Sequence, residues 1–158
     1  MTTQATRHPT ARAEWVLVAN GARARCFERD PESSHLRELA GFVHEQSRIK
    51  PSQLGDDRPG HAMKGGASTQ FEAHTEVHEK HRAQFARELA AYLDEAALAH
   101  RYDKLALIAS TPFLGDLRAQ LGDASRRCLI TSQALDLTEV TGHELEQRVT
   151  SAMLGHSV

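Results

Sequence analysis

Apolar residues open this chain in short runs separated by turn residues, a pattern that predicts strands before helices. EWVLVA, Glu14–Ala19, reads as a buried strand, and Asn20-Gly21 divides it from the strand-like ARARCFER. An Asn-Gly pair between two such runs predicts a hairpin with a type I′ turn, because both central positions of that turn need positive φ. A second turn signal, DPESS over residues 30–34, precedes a third strand, LRELAGFVHE. The chain therefore opens as a three-stranded antiparallel meander, preceded by a polar leader over residues 1–13 that is expected to be flexible.

Between residues 46 and 68 the composition turns to Gly, Pro, Asp, Ser and Lys. A loop of that length is either functional or disordered. A helical period follows, with Thr69 and Glu72 in capping-box register and Thr75 as an alternative start, and it runs to about His100. KLALIAS at 104–110 reads as a buried strand. Thr111 is placed to cap a helix with Pro112 at its first position, through FLGDLRAQLG. RRCLITS predicts a further strand, and Thr141 with Glu144 opens a last amphipathic helix through ELEQRVTSAML.

The order β-β-β-α-β-α-β-α predicts one α/β domain over residues 14–158. It has a mixed five-stranded sheet, antiparallel in the meander and parallel through right-handed crossovers, with three main helices. Such a sheet resembles ribonuclease H-like folds. The nuclease carboxylates of that fold do not follow, since strand one offers only Glu14 ahead of apolar residues.

At 158 residues the chain is long enough for one self-sufficient core. Its 19 basic and 21 acidic residues exclude a strongly basic nucleic-acid binder or a polybasic membrane-surface protein, though not a local basic patch. Cys26 and Cys128 lie in apolar runs without paired spacing and read as reduced thiols. No export signal or apolar stretch of spanning length is evident, so a cytoplasmic protein with no membrane insertion is expected.

The candidate chemistry is concentrated before and within the long helix. His74, His78 and His81 fall within roughly 40° of the Phe85 face at about 100° per residue, so the apolar stripe turns titratable at its N-terminal end. Neighbouring pairs can share a metal ion, with a further ligand from His44, His61, Asp56 or Asp57. All three cannot readily do so, because His74 and His81 lie about 10 Å apart along the axis. No metal or other cofactor is expected, a divalent ion being the one alternative, and boundary histidines at a sheet edge explain the stripe as well.

Lys64, Gly65 and Gly66 before the helix suit an anion, although the P-loop spacing is missing. Arg23 and Arg25 alternate on strand two and share a face with Phe27, a strip suited to RNA phosphates and a stacked base. Arg118, Arg126 and Arg127 are candidates to extend it.

The WVLVANGARARCFE segment, the Gly-rich loop before a long helix, LALIASTPFLGDLRAQL and the late ALDLT resemble, in order and spacing, the bacterial family of proteins required for attachment to host cells. The resemblance covers residues 14–154. Where the family often has Ala-Pro-Pro, this chain has Ala109-Ser110-Thr111-Pro112.

The topology is also similar to the middle domain of eukaryotic and archaeal class-1 release factors and of Pelota. There a Gly-Gly-Gln loop precedes a long helix. Here three residues separate Gly66 from Gln70, a departure that argues against peptidyl-tRNA hydrolysis. The resemblance implies a non-catalytic or weakly catalytic domain acting through RNA, ribosome or protein contacts. The alternatives are a hydrolase using residues 61–81, with Gln70 or His78 positioning water, and a histidine-based metal-binding regulator.

Overall fold

A computed structural model describes residues 13–44 and 67–155, with the side chains of 67–74 left aside. Strands β1 (Glu14–Ala19), β2 (Arg23–Arg29) and β3 (Leu36–Val43) are followed by the long helix α1 (Ala67–Leu98) and β4 (Lys104–Ala109). Then come α2 (Phe113–Gln120), the short α3 (Asp123–Cys128), β5 (Leu129–Ala134) and α4 (Gly142–Gly155). The five strands form one mixed sheet in the order β3-β2-β1-β4-β5. β1 pairs antiparallel with β2 and parallel with β4, and β5 joins parallel at the far edge. The expected mixed sheet in one α/β domain is what the chain forms.

Alternation along β1 and β4 sorts their side chains to two faces. Trp15, Leu17 and Ala19 with Leu105, Leu107 and Ala109 meet Phe85, Leu89 and Leu93 of α1 and Phe113 and Leu117 of α2. Val16, Val18, Ala106 and Ile108 meet Leu145 and Val149 of α4 on the other side. Helices on both faces explain why β1 is buried at all six positions and reads as a continuous apolar run.

Several local expectations change. The β1–β2 hairpin forms, but neither Asn20 nor Gly21 has positive φ, so the turn is not type I′. The Asn20 side chain instead accepts the backbone N–H groups of Ala22 (2.8 Å) and Arg23 (2.9 Å), an Asx turn. Gly21 lies close to α1: a Cβ there would stand 3.1 Å from Arg82 Cγ, so that side chain would have to give by a few tenths of an ångström.

Helix α1 begins at Ala67, two residues before Thr69. Its other end is closed by Arg101 N–H to Ala96 C=O (2.9 Å) and His100 N–H to Ala97 C=O (3.0 Å), with His100 at φ 58°. That is a Schellman closure with histidine where glycine is usual.

Thr111 does not cap α2. Pro112 holds the cap position after a cis Thr111-Pro112 bond, and no side chain closes that end. Arg126, Arg127 and Cys128 belong to α3 rather than to the following strand, which starts at Leu129.

Candidate functional site

β1, β3 and β4 end along the same edge of the sheet, where the β1–β2 turn and the N-terminal half of α1 also lie. In open α/β sheets, ligand sites gather at the carboxyl ends of parallel strands. His44 follows β3 there, tied to the turn by its backbone N–H to Ala22 C=O at 2.8 Å. Its side chain is only 6% exposed. The ring stacks on Phe85 (centroids 5.0 Å, 17° between planes) and meets His81 edge-on at 6.0 Å. Nδ1 of His44 lies 3.8 Å from Glu88 Oε1.

Two ring nitrogens in this cluster, His44 Nε2 and His81 Nδ1, are buried without a hydrogen-bond partner. An unsatisfied buried polar atom costs about 1–3 kcal/mol, and here two fall on neighbouring rings. Next to His81 in sequence, Arg82 is half-buried and donates from Nε to Asp116 at 3.1 Å, which pairs its charge.

The placement of the other candidates divides them. His78 lies half-buried on α1, one turn before His81. Gln70 and His74 fall on the helical backbone of α1, but their side chains are outside the described set. Lys64, Gly65, Gly66, Asp56, Asp57 and His61 lie outside the described residues. Among the described residues, no three His, Cys, Asp or Glu side chains assemble into a metal cluster.

Arg23 and Arg25 do share a face with Phe27, on the α4 side of the sheet. Phe27 is 3% exposed and holds the second core together, so it offers no face to a base. Arg25 sits 5.0 Å over the Phe27 ring and is held by Glu38 (3.2 Å) and the Val140 carbonyl (3.0 Å). Arg23 makes only a 3.5 Å pair with the exposed Glu139. Both line an open hollow of about 510 Å³ together with Thr138 and Thr141.

Next to it, Asn20 Nδ2 donates to Asp136 (3.0 Å) and Thr138 (3.1 Å). Burial would raise the Asp136 carboxyl, but the hydrogen bonds from Asn20 and Thr138 outweigh it and hold the group below its ordinary value.

Arg118, Arg126 and Arg127 are exposed on α2 and α3. Arg126 donates to the Arg118 carbonyl at 3.3 Å, and the two side chains flank a second hollow of about 510 Å³ floored by Leu121 and Leu129. Among the described residues none of the three guanidiniums has a carboxylate in ion-pair range.

Sequence reasoning named His44 only as one possible further ligand to a histidine pair on the helix, alongside His61, Asp56 and Asp57.

No helix among the described residues is long and apolar enough to cross a membrane. No curated protein matches the chain. The model of one family, described as "Protein required for attachment to host cells", matches residues 15–149, from the start of the first strand into the last helix, and the chain belongs to that family.

Proposed function

We propose that this protein is a cytoplasmic, non-catalytic binding domain that contacts RNA, and that its part in attachment to host cells is indirect. The observation that carries the reading is the contrast among its arginines. Arg25 is committed to Glu38, Val140 and Phe27, whereas Arg118 and Arg126 flank an open hollow and Arg127 stands exposed beside Arg126, none of the three with an acidic partner among the described residues. Guanidiniums without an acidic partner among the described residues are well suited to meet phosphate.

Arg23 adds to the reading, because its pair with the exposed Glu139 is of the kind worth about 0–1 kcal/mol and exchanges readily for a phosphate. The sheet order β3-β2-β1-β4-β5, with β2 alone running against the other four strands, supports a ribonuclease H-like, release-factor-like relationship. The test is sedimentation of bacterial lysate at low salt. The protein is expected to travel with ribosomes, and to leave them after nuclease treatment or when Arg118, Arg126 and Arg127 are changed to Glu. Co-sedimentation that survives nuclease would point to a protein contact and contradict the proposal.

A further inference from the structure

We infer that His44 and His81 form a two-imidazole seat for a divalent transition metal of the zinc class, with its remaining positions open to water or an outside ligand. The inference starts from His44, which is more than nine-tenths buried yet has a ring nitrogen without a partner. Its Nδ1 faces the Glu88 carboxylate at 3.8 Å. A carboxylate on the Nδ1 side, beyond hydrogen-bond reach at 3.8 Å, is the kind of outer partner that accompanies a metal-bound histidine. The other nitrogen, Nε2, is the unpartnered one.

The second donor comes from a different element. His81 Nδ1, on α1, is also buried and unpartnered, and its ring centre is 6.0 Å from that of His44. With Zn–N bonds of about 2.0–2.1 Å, two imidazoles on one ion place their ring centres about 5 to 6 Å apart. The observed ring-centre spacing lies at the upper end of that range.

The surroundings favour a cation. Arg82 is neutralised by Asp116, and Glu88 adds negative charge at the rim. His44 is also held in orientation by its stack on Phe85, so the seat is preformed on its buried side. Borderline nitrogen donors select zinc, copper, nickel or cobalt over magnesium and calcium, which prefer oxygen. This seat differs from a His74-His78-His81 centre on one helix, because it joins the end of β3 to α1 and avoids the axial spread.

The test is calorimetric titration of the full chain, purified without a histidine tag, with zinc chloride and separately with magnesium chloride. One zinc equivalent is expected, with no magnesium binding. His81→Gln and His44→Phe, the latter keeping a ring against Phe85, are each expected to weaken zinc binding at least tenfold. His143→Gln on the α4 surface is expected to leave it unchanged. If His44→Phe fails to fold, zinc-induced shifts of the His44 and His81 ring resonances in the unaltered protein give the same reading. The inference is overturned if the unaltered protein takes up no zinc, in which case water satisfies both nitrogens. It is equally overturned if both folded variants bind zinc as the parent does, or if binding is lost only in His74→Gln.

Discussion

Asp94 of α1 accepts the backbone N–H of Gly122 at 3.0 Å, binding the long helix to the start of α3 across 28 residues of sequence. The same carboxylate takes the Ser125 hydroxyl at 2.5 Å, and the buried Tyr102 hydroxyl reaches Ser125 at 3.2 Å and the Leu93 carbonyl at 2.9 Å. A Cβ on Gly122 would stand 2.9 Å from Asp94 Oδ2, so the approach depends on glycine. Hydrogen bonds to a charged group are worth about 1.5–3 kcal/mol. Asp94→Ala is therefore expected to lower the unfolding free energy by about 2–3 kcal/mol in urea titration. Asp94→Asn, which keeps one acceptor, should lose less.

His100 closes α1 in the left-handed region at φ 58°. A residue with a Cβ pays about 1–2 kcal/mol there, while glycine gives back part of that gain through its freer unfolded chain. His100→Gly is expected to stabilise the protein by about 0.5–1 kcal/mol, read as a higher urea midpoint at unchanged slope. A lower midpoint would show that the imidazole makes a compensating contact.

Asp136 is held below its ordinary value of 3.8: burial pushes the other way, and the hydrogen bonds from Asn20 and Thr138 prevail. A lowered folded-state value means stability that is present above pH 3.8 and is lost as the pH falls through the folded value. Asn20→Ala removes one of those donors and also the acceptor of the β1–β2 turn. NMR titration is expected to find the Asp136 carboxyl shifted upward in that variant, with a smaller loss of stability per pH unit below 3.8.

Burial raises the Cys26 thiol from 9.0 to about 12, with Arg101 and Tyr92 acting weakly against it. The stability gained by keeping the thiol neutral is whole below pH 9 and is lost as the pH rises from 9 to 12. At pH 8, iodoacetamide is expected to spare Cys26 in the folded protein while modifying the half-buried Cys128 slowly, and to modify both in urea. Mass spectrometry of the two peptides reads the outcome.

The strand pattern was legible because β1 and β4 are covered on both faces and so are apolar at every position after their first residues, Glu14 and Lys104. The Asn20-Gly21 pair rightly marked a hairpin, but for a different reason: asparagine works through its side chain, and glycine lies close against Arg82. The α3 helix was hidden because Arg126-Arg127-Cys128 runs without punctuation into the apolar Leu129-Ile130, and only the tether from Asp94 to Gly122 defines its start. At the site, helical spacing identified His81 but not its partner. His44 is 37 positions earlier, and only the pairing of β3 with β2 brings it to α1. The Arg23-Arg25-Phe27 alternation was read correctly as one face, yet sequence alone gave no sign that α4 covers the phenylalanine.

The account stands most directly on whether Arg118, Arg126 and Arg127 meet nucleic-acid phosphates. Fluorescence anisotropy of a labelled single-stranded RNA, measured over a range of salt concentrations, gives both affinity and the number of phosphates engaged. Each phosphate contact on a single strand contributes about 0.7 to the slope of log affinity against log salt. The triple change to Glu is expected to weaken binding at least tenfold and to reduce the slope by about 2. The same affinity and slope in the triple variant and the parent would contradict RNA contact at this surface.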